Sequence, residues 1–170
     1  MKEKKEQLVE KLRQKKQTIC CMESCTGGLF ASEITDVPHA SEVLKVSLVT
    51  YSNEYKTKFG VSTKTIETYS VYSMQTANEM AKKACFFANS DWGVGITGQL
   101  GRQDPNNTGN KTNEVYYTIY QKEKNSYYSQ KITLEEKDKR LEMKLQITEK
   151  VMNDFIKILD DEEKGLLYHE

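Results

Sequence analysis

The sequence has no excess of either charge and no long apolar segment. Lysine plus arginine and aspartate plus glutamate both total 25 residues, so the formal net charge is zero. A protein without overall positive charge has no long-range attraction for a phosphate backbone, which argues against a dedicated nucleic-acid binder. No stretch approaches the ~20 consecutive apolar residues of a membrane span, and no apolar signal-peptide core follows the first charges. We therefore expect a cytoplasmic protein with neither a nucleic-acid nor a membrane partner.

Histidine is scarce too, and the usual metal-binding spacings are missing. The two histidines are His39 and His169. The four cysteines form no C-x-x-C pair: Cys20, Cys21, Cys25 and Cys85. Neighbouring Cys20 and Cys21 would point to opposite faces of a strand, so they could not hold one metal together. We expect reduced thiols and no metal site.

Alternating apolar runs and amphipathic segments predict one three-layer α/β/α sandwich with a mixed, mostly parallel sheet of about five strands. The predicted strands are residues 18–22, 46–51, 92–97, 115–120 and 127–133. The predicted helices are an amphipathic first segment carrying Leu8, Val9 and Leu12, then residues 26–35, 53–59, 62–69 and 74–88, and a final helix. We expect a single domain over residues 1–160 and an acidic, frayed tail over residues 161–170.

The ends and faces of the two longest later helices are predicted in more detail. Ser73 is expected to cap the helix that runs to Ala88, with Phe87 on its inner face beside Ala77, Met80, Ala81 and Ala84. Thr133 and Glu136 form a T-x-x-E capping box before the last helix. The buried stripe predicted for that helix contains Leu141, Leu145, Thr148, Met152, Phe155 and Leu159.

The stretch GVGITG at residues 93–98 matches the G-x-G-x-x-G spacing of dinucleotide-binding proteins. Its glycines lie within a strand instead of in a turn that opens a helix, so the match is weak. We interpret them as positions of close packing or close ligand approach. The segment that follows, residues 98–113, is rich in glycine and asparagine, and a loop of this length is more often functional than incidental.

The stretch ESCTGG at residues 23–28 lies where the first strand hands over to a helix. Ser24 would sit at the carboxyl end of that strand, the edge at which open α/β sheets bind ligands. Backbone amides of Cys25, Thr26 and Gly27, together with the helix dipole, could then stabilise an oxyanion or hold a phosphate. The alternative is that Ser24 is an ordinary helix cap, which is common at such turns.

A serine nucleophile needs a base, and the stretch TYSNEYK at residues 50–56 could supply one. It begins at the end of the second strand, on the same edge if the two strands are parallel. Tyr51 would end that strand and Lys56 would lie on the short helix after it, so both could face Ser24 as proton relay and base. The alternative is that Lys56 is an ordinary solvent-exposed helix lysine.

In this order and spacing, ESCTGG, TDVP, VTYSNEYKTKFGV, EMA and GVGITG resemble the C-terminal domain family of competence/damage-inducible CinA, over about residues 18–159. The resemblance implies an enzyme of nucleotide salvage, a nicotinamide mononucleotide amidase that uses neither a metal nor another cofactor. It implies Ser24 as nucleophile with assistance from Lys56 and Tyr51, and it suggests a homodimer. Positions around the substrate are Cys25, Thr26, Gly27, Gly28, Thr97 and Gly98.

The chain departs from the family pattern on the side that would hold the substrate. Leu100, Gly101 and Arg102 replace the usual Ala-Gly-Pro, and Lys144 stands where an arginine is usual. Either Arg102 or Lys144 could meet a substrate phosphate. Two other functions therefore stay open: a ligand-binding or partner-binding protein with impaired catalysis, and an amidase of a different small amide.

Overall fold

The structure is a computed structural model that describes residues 1–102, 104–107, 109 and 111–165. Within these residues the five strands are β1 Ile19–Glu23, β2 Leu44–Val49, β3 Trp92–Gly98, β4 Glu114–Gln121 and β5 Ser126–Thr133. The α-helices of the same residues are α1 Lys2–Lys15, α2 Leu29–Thr35, α3 Asn53–Lys58, α4 Thr63–Tyr69, α5 Met74–Ala88 and α6 Arg140–Glu163, and Ala40–Glu42 forms a single 3-10 turn.

The strands form one mixed sheet in the order β2-β1-β3-β4-β5. β1 is central and parallel to both β2 and β3, whereas β4 runs antiparallel to β3 and to β5. The carboxyl ends of β1, β2 and β3 therefore meet at one edge of the sheet. The predicted three-layer architecture with a five-stranded mixed sheet is confirmed.

Helices cover both faces of the sheet, and each face carries clusters of buried apolar residues. α1, α2 and α6 pack on one face, against a cluster that includes Cys21 and Trp92. α4 and α5 cover the other face, where Cys20 and Met22 join the core. The alternation along β1 confirms that Cys20 and Cys21 point in opposite directions.

The two glycines inside β3 allow α5 to lie unusually close to the sheet. A Cβ atom added to Gly93 would lie 1.9 Å from the carbonyl oxygen of Ala81, and one added to Gly95 would lie 2.4 Å from that of Ala77. Real Cβ atoms do not approach backbone oxygens so closely, so no other residue fits without moving the helix. The packing interpretation of GVGITG is confirmed.

Several predicted helix ends and faces were wrong, because tertiary packing overrides local pattern. Thr133 pairs with Glu114 as the last residue of β5, so it caps no helix, and α6 begins at Arg140 without a side-chain cap. Leu141 is 56% exposed, and so is Phe87 at 57%, where its ring packs edge-on against Phe59 instead of entering the core.

The predicted acidic tail is only partly described. α6 continues to Glu163, so the first residues of that tail are helical and not frayed. Residues 166–170, which include His169, lie outside the described residues. The domain boundary at residue 160 stays a prediction. No helix in the described part of the chain combines the length and the apolar character needed to cross a membrane.

Candidate active site

Ser24 follows β1 directly and is held by the neighbouring strand. Its backbone N–H donates to the carbonyl oxygen of Ile96 in β3 at 3.1 Å, which continues the parallel ladder by one bond. The side chain is buried, with 6% exposure. The sheet therefore places the hydroxyl at the edge where β1, β2 and β3 all end.

The turn after Ser24 is organised by the carboxylate of Glu23, which is fully buried. Its Oε1 accepts the hydroxyl of Thr26 at 2.6 Å and the N–H of Phe30 at 3.0 Å, and its Oε2 accepts the N–H of Ala31 at 3.1 Å. A helix predicted from residue 26 starts instead at Leu29. The first amide of α2 donates to the carbonyl oxygen of Thr26 at 3.2 Å and the next two bind Glu23, so these amides are not available to a substrate.

Two other amides in this turn remain available. Gly27 donates its N–H to the carbonyl oxygen of Ser24 at 2.9 Å, which closes the turn. The N–H groups of Cys25 and Thr26 donate to no other residue in the described part of the chain. Gly27 and Gly28 both have positive φ angles, of 61° and 93°, which a side chain would strain.

Lys56 is brought to Ser24 by the short helix α3. Ser52 caps this helix by accepting the N–H of Tyr55 at 3.3 Å. Lys56 is buried, with 1% exposure, and its Nζ lies 3.1 Å from Ser24 Oγ and 2.7 Å from the carbonyl oxygen of Thr50. Both partners are uncharged oxygen atoms, so this is not the solvent-exposed lysine of the alternative interpretation.

The surroundings of Lys56 favour its neutral form. Burial lowers the pKa of the amine from 10.5 to about 8, and the negative charge of Asp104 opposes this shift. At pH 7 roughly a tenth of the lysine is then neutral and able to accept a proton. An amine of this kind next to a serine hydroxyl can act as a general base.

The neighbouring thiol has the opposite character. Burial, followed by the negative charge of Glu23, raises the pKa of Cys25 to about 12, so the thiol is protonated at neutral pH. A thiol is a poor nucleophile until it ionises. Of the two candidate nucleophiles in ESCTGG, the geometry and the electrostatics both favour Ser24.

A cavity of about 550 Å³ opens beside Ser24. Among the predicted site residues, those that line it are Ser24, Cys25, Tyr51, Gly98 and Arg102. Tyr51 lies two residues beyond the end of β2, and not at its end as predicted, and its side chain is 66% exposed. Its hydroxyl donates to neither Ser24 nor Lys56 in this structure.

Other predicted residues lie behind the cavity wall. The hydroxyl of Thr97 donates to the carbonyl oxygen of Val71 at 2.9 Å, and that of Thr26 donates to Glu23. The Nζ of Lys144 lies beside Gly27, 3.3 Å from the position of an added Cβ atom. Arg140, one helical turn before Lys144, lines the cavity together with Arg102.

The sequence did not predict the side-chain hydrogen bonds that hold the long loop of residues 98–113 beside the cavity. Asp104 accepts the hydroxyl of Tyr72 and the side-chain amide of Asn107, each at 2.7 Å, and Asn53 donates to Asn107 at 3.0 Å. These bonds keep the pKa of Asp104 below its ordinary value, the bond from Asn107 first. The sequence DPNN marks a turn, but nothing local indicates that it reaches Tyr72.

No group of three metal-ligating side chains is present among residues 1–102, 104–107, 109 and 111–165. The residues that line the cavity include Ser24, two arginines, several residues with neutral side-chain amides and Asp104, and the buried amine of Lys56 reaches Ser24. This combination suits attack on a carbonyl carbon and the binding of an anionic substituent elsewhere on the same molecule.

Comparison with known proteins identifies the family of the chain. A family model described as the CinA C-terminal domain matches residues 1–159. The chain is 48% identical over 101 residues to a protein of Caldanaerobacter subterraneus subsp. tengcongensis named as competence-damage inducible, an alignment that covers 58% of this chain and 24% of that protein. A CinA-like protein of Desulfovibrio desulfuricans is 45% identical over 95 residues, which is 55% of this chain and 22% of the relative. The alignments thus span about a quarter of these curated relatives.

Solved structures show the same fold. The competence/damage inducible protein CihA from Agrobacterium tumefaciens has a TM-score of 0.85 with 24% sequence identity, over 94% of both chains. A CinA superfamily protein from Klebsiella pneumoniae also has a TM-score of 0.85, with 19% identity, over 94% of this chain and 97% of that one. At such low identity the likeness concerns the fold alone.

Proposed function

Because this chain belongs to the CinA C-terminal domain family, we propose that it is an amidohydrolase that converts nicotinamide mononucleotide to nicotinate mononucleotide and ammonia. One observation carries this proposal: a buried lysine with a pKa of about 8 lies 3.1 Å from the hydroxyl of a serine that opens onto a cavity. An ordinary helix cap needs no buried amine beside it.

The reaction begins with acyl transfer to the enzyme. Neutral Lys56 takes the proton of Ser24 as its oxygen attacks the carboxamide carbon of the substrate. The N–H of Cys25, a residue that lines the cavity, then donates to the negative oxygen of the tetrahedral intermediate, and a single good donor of this kind contributes about 3 kcal/mol. Collapse of the intermediate breaks the C–N bond, and Lys56 returns its proton to the leaving ammonia.

Water completes the cycle. Lys56, neutral again, takes a proton from a water molecule that attacks the ester of Ser24. The second tetrahedral intermediate expels the serine oxygen, which regains its proton from Lys56, and the product acid loses its remaining proton to solvent and leaves as the carboxylate. We assign Tyr51 an assisting role from the exposed side of the cavity, which requires its side chain to turn toward Ser24 when the substrate is bound.

Two of the residues that line the cavity are suited to the substrate phosphate. Arg102 and Arg140 both line the cavity, and guanidinium groups bind phosphate oxygens in a bidentate manner. Lys144 is less suited because it lies beside Gly27 and is not among the residues that line the cavity. We propose that the protein acts as a homodimer, as the family resemblance suggests.

Direct measurement separates this function from its two alternatives. Purified protein is incubated with nicotinamide mononucleotide and the released ammonia is measured, while binding of the same nucleotide is measured by calorimetry. Ammonia release supports the proposed reaction. Binding without ammonia release would support a ligand-binding protein with impaired catalysis. Absence of both would favour another small amide, which a panel of primary amides in the same ammonia assay would identify.

A further inference from the structure

Gln99 is the first residue after β3, and its side chain has no hydrogen-bond partner among the described residues. The residue is 3% exposed and lines the cavity that contains Ser24, but its two side-chain polar atoms are buried, so the side chain must turn toward the cavity to reach a ligand. Neither its Oε1 nor its Nε2 makes a hydrogen bond in the described part of the chain. Buried side-chain amides are nearly always hydrogen-bonded in native proteins, so this side chain requires an explanation.

The backbone of Gln99 shows that the fold does not depend on this side chain. Its N–H donates to the carbonyl oxygen of Glu114 at 3.2 Å, and its own carbonyl oxygen accepts the N–H of Asn113 at 2.6 Å. These two bonds fix the position of the residue whatever its side chain. A buried amide without partners lowers stability, so its partner is expected to come from outside the chain.

Gln121 provides a comparison within the same sheet. It is also 3% exposed, at the far end of β4, but its Nε2 donates to the carboxylate of Glu162 at 2.6 Å, and among the described residues its Oε1 alone lacks a partner, whereas Gln99 lacks partners for both polar atoms. Gln121 does not line the cavity that contains Ser24. A buried glutamine that stabilises the fold therefore contacts another element of the chain, and Gln99 does not.

We propose that Gln99 recognises the carboxamide of the substrate and distinguishes it from the carboxylate of the product. This inference rests on the proposed amidohydrolase function. A primary carboxamide offers one N–H donor and one carbonyl acceptor in a single plane, which matches the acceptor and donor of a glutamine side chain. A carboxylate only accepts, so it leaves Gln99 Oε1 unpaired whichever way the amide is turned.

Discrimination of this kind has a kinetic use. Substrate and product differ only in this group, and a site that binds both equally would be inhibited as product accumulates. A polar site rejects a ligand that lacks the matching hydrogen-bonding group more strongly than an apolar site can reject a small change in size. Gln99 would therefore favour release of the acid once the C–N bond is broken.

The test measures binding of both nucleotides to a protein that cannot turn them over. In the Ser24→Ala background, calorimetry compares nicotinamide mononucleotide with nicotinate mononucleotide for Gln99 and for Gln99→Met. We expect Gln99→Met to bind the amide at least about tenfold more weakly and the acid with little change. Its melting temperature should be equal or higher, because two unpaired polar atoms are removed from the interior.

Gln121→Met in the same background is the matched control. It should lower the melting temperature, because Glu162 loses the hydrogen bond from Gln121 and retains the one from Lys124, and it should preserve the preference for the amide. Ammonia release by the protein with Ser24 intact shows separately whether the proposed function holds. If ammonia is released and Gln99→Met keeps the full preference, the inference fails and the function stands. A Gln99→Met variant that melts lower with unchanged binding, or a wild-type protein that neither binds nor hydrolyses the nucleotide, also overturns it.

Discussion

The polar groups at the two ends of the parallel strands β1 and β3 differ in how fully they are hydrogen-bonded. At the amino end, the N–H and hydroxyl of Thr18 donate to the carboxylate of Asp91 at 2.7 and 3.2 Å, and the indole of Trp92 donates to Gln17 at 2.9 Å. At the carboxyl end, and within the part of the chain that the structure describes, Lys56 is buried without a charged hydrogen-bond partner and Gln99 lacks partners for both of its side-chain polar atoms. One end stabilises the sheet, and the other keeps its groups available for chemistry.

For Lys56, the cost of burying an amine without a charged partner can be expressed as a contribution to the free energy of unfolding. Its pKa is about 8 in the folded protein and 10.5 in a free side chain, so the unfolded chain binds the proton more tightly. At pH values below 8 both states are protonated, and folding bears the full cost of about 3 kcal/mol. Between pH 8 and 10.5 this cost decreases as pH rises, so stability contributed by this group increases with pH. The carboxyl end is thus held in place by the rest of the fold.

The largest effect is expected from Ser24→Ala. Removal of the nucleophile should lower the rate of ammonia release at least about a thousandfold. The change in the free energy of unfolding should stay within about 1 kcal/mol, because among the described residues the hydroxyl is hydrogen-bonded to Lys56 alone. Activity and thermal unfolding are measured on the same preparations. Ser24→Ala retaining near wild-type activity would exclude this serine as nucleophile.

Ser90→Ala is the matched control at the amino end of the sheet. Ser90 is also buried, at 2% exposure, and its hydroxyl donates to the carbonyl oxygen of Trp92 at 2.7 Å. This variant should lose stability by about 1–2 kcal/mol and keep its activity. Equal losses of activity in the two variants would indicate that both serines act only through the fold.

Lys56 should show the next largest effect, and its two substitutions separate charge from proton transfer. Lys56→Arg and Lys56→Met should each lower the rate about a hundredfold or more, since neither side chain accepts a proton at neutral pH. Lys56→Met should be at least as stable as wild type at pH 7, because the buried charge is removed. Lys56→Arg that keeps a large part of the activity would contradict the role as base and direct attention to Tyr51 or a bound water.

Asp91→Asn tests the stabilising end alone. The uncharged asparagine forms weaker hydrogen bonds with the N–H and hydroxyl of Thr18 than the carboxylate does. Unfolding in urea should therefore show a free energy of unfolding lower by about 1–3 kcal/mol. The rate per folded molecule should not change, since the carboxylate lies at the end of the strands away from Ser24. A comparable loss of rate at a temperature where the variant is fully folded would mean that the two ends are coupled.

The smallest effect concerns pH. The rate should rise with pH through an ionisation near pH 8, as Lys56 loses its proton. The negative charge of Asp104 raises the pKa of Lys56, so Asp104→Asn should move the midpoint of the pH–rate profile to lower pH. Asp91→Asn is the control and should leave the midpoint unchanged. A midpoint that moves to higher pH in Asp104→Asn would show that the loop acts through Lys56 in another way.

The sequence predicted the meeting of Ser24 and Lys56 because each follows a strand closely. Two parallel strands end at one edge, so short local segments determined the position of both residues. Arg140 and Asp104 could not be found in this way. The start of α6 depends on the register of the β4–β5 hairpin, which holds Thr133 in the sheet, and the path of the long loop depends on bonds to Tyr72 and Asn53.

Faces that local periodicity predicted as buried failed for a related reason. Leu141 and Phe87 lie on stripes that continue apolar patterns, yet each is more than half exposed. The unpaired amide of Gln99 was likewise invisible, because a glutamine after a strand looks the same with or without a partner. These features depend on what surrounds a residue and not on its neighbours in sequence.

The burial of all four cysteines has a practical consequence for labelling experiments. Cys20, Cys21, Cys25 and Cys85 are buried, and burial raises the pKa of each thiol, to about 12 in Cys20 and Cys25. Alkylating reagents attack the thiolate, so the folded protein should react slowly and the unfolded chain should react at four positions. A cysteine introduced on the surface could therefore carry a fluorophore without removal of the native thiols. The rate at which the reagent alkylates the unmodified protein would then report how often the folded chain unfolds.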